Sequence, residues 1–204
     1  MTKRFCLSIL SALLLTTWTA KASAQTVTAG VTAGINFAGA SGDFGPNATK
    51  GRRTAGVLGV SAAFWVNDLV DVQPEILYSM EGASAEVSAA GVTSTLTSRI
   101  DMIRIPVLAR IGPRLGLHPS CCYVVAGPAI GIVTRAKQTI PAVGDLDIKD
   151  QLKGGDFAIV LGAGFSVDRF TVEGRYTAGL TNLNKDAADV NKTRVFAVLA
   201  GAKF

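Results

Sequence analysis

The stretch VDVQPEILYSMEG, Val70 to Gly82, decides the fold. Val70, Val72, Ile76, Tyr78 and Met80 fall on one side of a period-two pattern. Asp71, Gln73, Glu75, Ser79 and Glu81 fall on the other. Alternation of this kind marks a strand with two unlike faces. The stretch is longer than the usual globular strand of ~5–6 residues. It suits a tilted membrane strand, whose crossing takes ~9–11 residues.

The same period recurs on both sides. Thr26–Ala38 alternates Val27, Val31, Ile35 and Phe37 against Thr28, Gly30, Thr32, Gly34 and Asn36. Arg53–Val66 sets Leu58, Val60, Ala62 and Phe64 against Arg53, Gly59 and Ser61. Thr97–Ile111 sets Ile103, Ile105, Val107 and Ile111 against Arg104 and Arg110. Cys121–Lys137 is a candidate with a less clear phase. Asp156–Val167 alternates Phe157, Ile159, Leu161, Ala163 and Phe165 with small residues. Phe170–Leu180 and Lys192–Phe204 complete a set of eight. Asn67–Leu69 and Val167–Arg169 are tight connections, and Gly112–Ser120 is intermediate. Gly39–Arg52, Ala83–Leu96, Gln138–Gly155 and Thr181–Asn191 read as long loops. Four long loops alternating with three shorter turns, on an even strand count, predict an eight-stranded antiparallel up-and-down transmembrane β-barrel. Both termini then lie on the periplasmic side.

One face of each strand is nearly all apolar and the other is small or charged. Turned outward, the apolar faces make a lipid-facing band around a polar lumen. An eight-stranded lumen is narrow and filled by side chains. By phase, Asp71, Glu75 and Glu173 point where Arg104, Arg110, Arg175 and Lys203 also point. Unpaired charges in so confined a space are costly. These seven residues are therefore expected to pair as a structural lumen network.

The composition agrees. The chain is 49% hydrophobic and 17% charged, too apolar for disorder. Lys3 and Arg4, the apolar run Phe5–Trp18 and Ala22-Ser23-Ala24 form the pattern of a secretory signal. Residues 1–24 are thus expected to be removed after Ala24, leaving residues 25–204 as the barrel domain. Loss of Lys3, Arg4 and Lys21 lowers the net charge from +5 to +2. No Lys/Arg cluster of the kind that grips phosphate backbones remains, which argues against a nucleic-acid partner. The longest apolar stretch left, Tyr123–Val133, contains Gly127, Pro128 and Gly131 and is too short for a helical span.

Several segments carry a further resemblance. They are Gly30–Phe37, Val72–Ser79 leading to Gly82, and Ile103–Leu108, continued by Ala126–Gly131 and Val172–Tyr176. Gln73-Pro74-Glu75 before Tyr78, followed by Ile105-Pro106, is the most specific combination. In these the chain resembles the PorT-like or "porin family" small outer-membrane β-barrel proteins, over nearly all of residues 25–204. The resemblance implies an outer-membrane barrel of about eight strands in a Gram-negative bacterium. It implies no reaction. It also lends Phe204 the role of an assembly signal read by the barrel-assembly machinery.

Pro74, Pro106 and Pro128 each remove a ladder donor inside a strand, so bulges are expected there. His118 is the only histidine and cannot build a multi-His metal site. Cys121 and Cys122 are adjacent, and a vicinal disulfide would be strained; two thiols on opposite faces are the simpler reading. Asp145, Asp147 and Asp150 lack the Gly and Glu of a calcium loop and read as solvated. Asn47-Ala-Thr and Asn191-Lys-Thr match glycosylation sequons, which mean little in a bacterial outer membrane. No cofactor, metal or catalytic residue is expected.

The sequence thus predicts an outer-membrane barrel with a structural or surface-interaction role through four extracellular loops. Its surroundings are membrane lipid, and its surface partner is undefined. Two other classes stay open: an outer-membrane lipid-modifying enzyme, and a soluble periplasmic lipocalin-like barrel with the apolar faces inside.

Overall fold

A computed structural model describes residues 27–41, 48–89, 92–113, 122–140, 144–184 and 192–204. Residues 1–24, His118, Cys121, Asn47 and Asn191 lie outside them. The strands are β1 (Val27–Ser41), β2 (Ala48–Trp65), β3 (Val70–Ala89), β4 (Val92–Ile111), β5 (Cys122–Ile140), β6 (Gly144–Asp147), β7 (Gly155–Val167), β8 (Phe170–Gly179) and β9 (Lys192–Lys203). The antiparallel order is β4-β3-β2-β1-β9-β8-β7-β5, and β4 pairs with β5 to close the ring. Eight strands make the wall. The short β6 folds back on the end of β5 without joining the ring.

The two ends differ. At one, Asn67 accepts the Leu69 and Val70 amides on its side-chain oxygen, fixing the β2–β3 turn. Asp168, at φ 51°, makes the tight β7–β8 turn. Asp is among the few residues that tolerate the left-handed region. At the other end, the ladder of β3 and β4 runs from Gly82↔Arg99 to Ala89↔Val92. Most of the predicted loop Ala83–Leu96 is therefore a hairpin. Its Ser and Thr content leaves little hydrophobic contrast for a period-two reading. Likewise Gln138–Gly155 contains β6 and a 3-10 turn, Lys149–Gln151. Gly82 enters the long hairpin at φ 135°, where a β-carbon would come 2.0 Å from the Ser98 carbonyl oxygen. Only glycine fits that approach.

The bulges do not fall at the prolines. Pro74↔Val107, Pro106↔Ala129 and Pro128↔Ile159 pair in unshifted ladders. Toward the other neighbour, each proline sits in a two-residue gap in the pairing. The missing N–H is absorbed by omitting rungs rather than adding a residue. The register shifts lie elsewhere, between Arg52 and Val57 on β2 and between Asp101 and Met102 on β4. At the second, Thr134 is the extra residue, and its hydroxyl donates to the Asp101 carbonyl at 2.9 Å.

The faces of the wall settle which side meets water. Val31, Leu58, Ile76, Val107, Ile130, Leu161, Val172 and Val198, one per wall strand, are 40–56% exposed on the outside. Asp71, Glu75, Arg104, Arg110, Glu173 and Arg175 are buried inside, from 1% exposed for Asp71 to 6% for Glu173. A water-soluble barrel has the reverse arrangement. The unclear phase of β5 also has a cause: its inward residues Tyr123, Val125, Ala129 and Val133 are as apolar as the outward Val124, Ile130 and Ile132.

Candidate functional site: the plugged lumen

The lumen is filled in layers. Near the turn end, β3, β4, β5 and β8 aim Asp71, Glu75, Arg110, Tyr123, Glu173 and Arg175 inward. Arg175 makes a two-pronged pair with Glu75, at 2.5 and 2.8 Å, and its Nε donates to Glu173. Tyr123 donates its hydroxyl to Glu173 at 3.1 Å. The Arg110 guanidinium lies 4.0 Å above the Tyr123 ring and 3.8 Å from Asp71. Gln73 donates to Glu75 at 2.5 Å and accepts from Lys203 Nζ at 3.2 Å. Three acids thus meet two arginines, and the planar Arg fork matches the carboxylate geometry.

Above this cluster is an apolar waist of Val57, Leu77, Ala197 and Leu199. A second cluster follows. Arg104 pairs with Glu81 at 2.5 and 2.8 Å, with Asp156 at 3.1 Å and with Thr193 Oγ1 at 3.2 Å. Thr193 donates to Asp156 at 3.0 Å. Ser79 donates to Glu81, and Asn36 donates to Ser79 and to the Met80 carbonyl. The loop end is then covered by an apolar cap. Leu183, 1% exposed, packs on Ile100, Met102, Val133 and Ala136 with Ile148 and Leu152. The Lys153 amide donates to the Leu183 carbonyl at 2.8 Å, tying the two covering segments together.

The structure therefore brings Asp71 to Arg110, and Glu75 and Glu173 to Arg175. It does not bring Arg104 to any of the three acids named from sequence; Arg104 meets Glu81 and Asp156. Lys203 reaches Gln73 rather than a carboxylate. Glu81 and Asp156 were the residues missed. Both were in phase, Glu81 with Asp71 and Glu75, Asp156 with the inward small residues of β7. Cavities beside the two clusters measure about 10 and 30 Å³. Those volumes admit about a water each.

A closed eight-stranded wall, apolar outside and charged inside, belongs in lipid. The family model for the outer membrane protein beta-barrel domain matches residues 23–185. The chain belongs to that family. This outer-membrane barrel lies in the cell outer membrane, its apolar wall against lipid. No curated protein matches its sequence. Among solved structures it is similar to neisserial surface protein A, at a TM-score of 0.50 and 13% identity, over 86% of this chain and 97% of that one. It is also similar to OprG of Pseudomonas aeruginosa, at a TM-score of 0.46 and 11% identity, over 88% and 97%. At 13% identity the likeness to neisserial surface protein A is one of fold alone.

Proposed function

We propose that this outer-membrane barrel is a non-catalytic protein of the PorT-like type, structural or interacting through four loop segments that face the cell exterior. In this reading residues 1–24 export the chain and are cleaved after Ala24. The barrel-assembly machinery then inserts residues 25–204. The observation that carries the proposal is the asymmetry of the two ends. Two tight turns, β2–β3 and β7–β8, lie at one end. At the other, β3 and β4 continue in register to Ala89 and Val92, and β6 adds a second hairpin. Chain extended so far beyond a lipid-facing wall presents surface to partners rather than supporting the membrane crossing. The filled lumen supports the same reading. Its charged side chains are held by one another, which makes it a rigid core rather than a channel. "Porin" is in that sense a label, since an aqueous channel takes about 16–18 strands.

The orientation is tested by labelling intact cells with a membrane-impermeant maleimide. In a Cys121→Ser/Cys122→Ser background, Asp147→Cys in β6 is expected to react and Asp168→Cys in the β7–β8 turn to be protected. The opposite pattern would refute the orientation. Outer-membrane lipids extracted from the same cells are expected to match those of cells lacking the protein. A new lipid species would replace the proposal with an enzyme.

A further inference from the structure

The outer surface carries a feature that neither the lumen nor the loops explain. Phe37 on β1 pairs with Phe196 on β9, which pairs with Tyr176 on β8. These three side chains form an outward aromatic row, with the Phe37 and Phe196 rings 6.3 Å apart. One step further toward the loop end, Arg194 pairs with Gly39. Arg52 stands on the far side of Gly39, beside the Ala38↔Arg53 pair. Two exposed arginines therefore flank a glycine across three adjacent strands. Together these residues line a groove of about 570 Å³. A β-carbon at Gly39 would meet nothing nearer than Arg52 Cγ at 3.9 Å, so the glycine leaves the groove open.

The depth of the groove points to its occupant. From Val27 to Phe37 the strand rises ten residues, about 33 Å along its axis. At a tilt of ~40° that is about 25 Å along the membrane normal, the height of an apolar band between its aromatic girdles. The aromatic row thus sits at the top of the hydrocarbon. The arginines sit two residues higher, about 6.6 Å along the strand, at the level of lipid phosphates. Neither Arg52 nor Arg194 has an acidic partner among the described residues. Lysines in such a place would act as point charges; two guanidiniums present paired donors that match phosphate oxygens. The aromatic floor suits the upper part of an acyl chain.

We propose that this groove binds one phosphorylated lipid of the outer leaflet, its phosphate clamped between Arg52 and Arg194 and its chain laid over Phe37, Phe196 and Tyr176. The choice of leaflet rests on the orientation proposed above, whereas the binding itself is read on purified protein, so the two fail separately. The full mature barrel in detergent is mixed with diphosphoryl lipid A, and bound lipid is counted by native mass spectrometry. Dephosphorylated lipid A and inorganic phosphate serve as controls. One retained lipid A per barrel is expected. Arg52→Gln/Arg194→Gln is expected to weaken retention at least tenfold. So is Gly39→Leu, which keeps both charges and fills the groove. Heat-dependent gel mobility verifies that each variant is folded. Equal retention of the dephosphorylated lipid, or unchanged retention in either folded variant, would overturn the proposal. Displacement by inorganic phosphate at equal concentration would reveal a simple anion site and overturn it too.

Discussion

Replacing Arg175 by Met keeps most of the side-chain volume and removes the charge. Glu75 loses both of its contacts from Arg175, and Glu173 loses its contact with Arg175 Nε. Gln73 and Tyr123 remain as neutral donors to the two acids. The lower lumen cluster then holds three carboxylates against Arg110 and Lys203, with Glu75 and Glu173 only 2 and 6% exposed. Stranding a buried charge by removing its partner costs about 3–5 kcal/mol. With a urea slope of about 2 kcal/mol/M, the unfolding midpoint is expected to fall by about 2 M. The assay is urea titration of the barrel in phospholipid vesicles, followed by tryptophan fluorescence and by heat-dependent gel mobility. Neutralising the stranded acids as well, in Glu75→Gln/Glu173→Gln/Arg175→Met, is expected to recover at least half of the loss. A buried pair replaced as a unit costs far less than a pair broken. If Arg175→Met unfolds at the wild-type midpoint, these charges are hydrated, and a network sealing the lumen is refuted.

Three further outcomes follow from other layers of the molecule. Leu161→Arg puts a charge on an outward position that is 55% exposed. In lipid this is expected to cost about 2–4 kcal/mol, read in the same titration, whereas an aqueous surface would accept it with little change. Leu183→Ser removes the cap side chain that packs on Met102 and Val133. The Lys153 amide, which bonds to the Leu183 carbonyl, is expected to exchange at least tenfold faster while the wall stays folded. Asp145 is solvent-exposed in β6, and the Thr139 hydroxyl, followed by Lys137, holds its carboxyl below the usual range. Because the folded value is the lower one, its contribution to the β5–β6 hairpin is present above the ordinary carboxylate value of about 4 and lost as pH falls through the folded value. Amide exchange in β6 is expected to speed up at that acid end. Thr139→Val is expected to move the change to higher pH.

The wall was legible because lipid and lumen impose opposite chemistry on alternate residues. Val70–Gly82 shows this most openly, with Ile76 facing out and Glu75 facing in. Where the contrast fails, so does the reading. In β5 both faces are apolar, because Tyr123 and Val125 join an inner apolar cluster. In the β3–β4 hairpin beyond Gly82, pairing continues through a run of small and polar residues rich in Ala, Ser and Thr, and sequence alone takes the segment for loop. Strand phase identifies which charges point inward but not their height. Arg104 lies level with Leu77 in the β3–β4 ladder, and Arg110 with Asp71. The partner of Arg104, Asp156, comes from the start of β7, on the far side of β5 from β4. Height depends on the stagger of every strand around the ring. That stagger is fixed by bulges such as the one at Thr134, which carries no sequence mark.

The two faces of the wall divide the work of charge. Inside, each arginine is paired with an acid of its own cluster, Arg104 with Glu81 and Asp156, Arg110 with Asp71, and Arg175 with Glu75 and Glu173. A solute entering the lumen would have to break buried ion pairs and lift the Leu183 cap. Outside, Arg52 and Arg194 flank a glycine and have no acidic partner among the described residues. The same residue type is thus paired with acids in the core and left without one, among the described residues, on the wall. If binding chemistry resides in this molecule outside its loops, the open pair on the lipid-facing wall is where the physical argument places it.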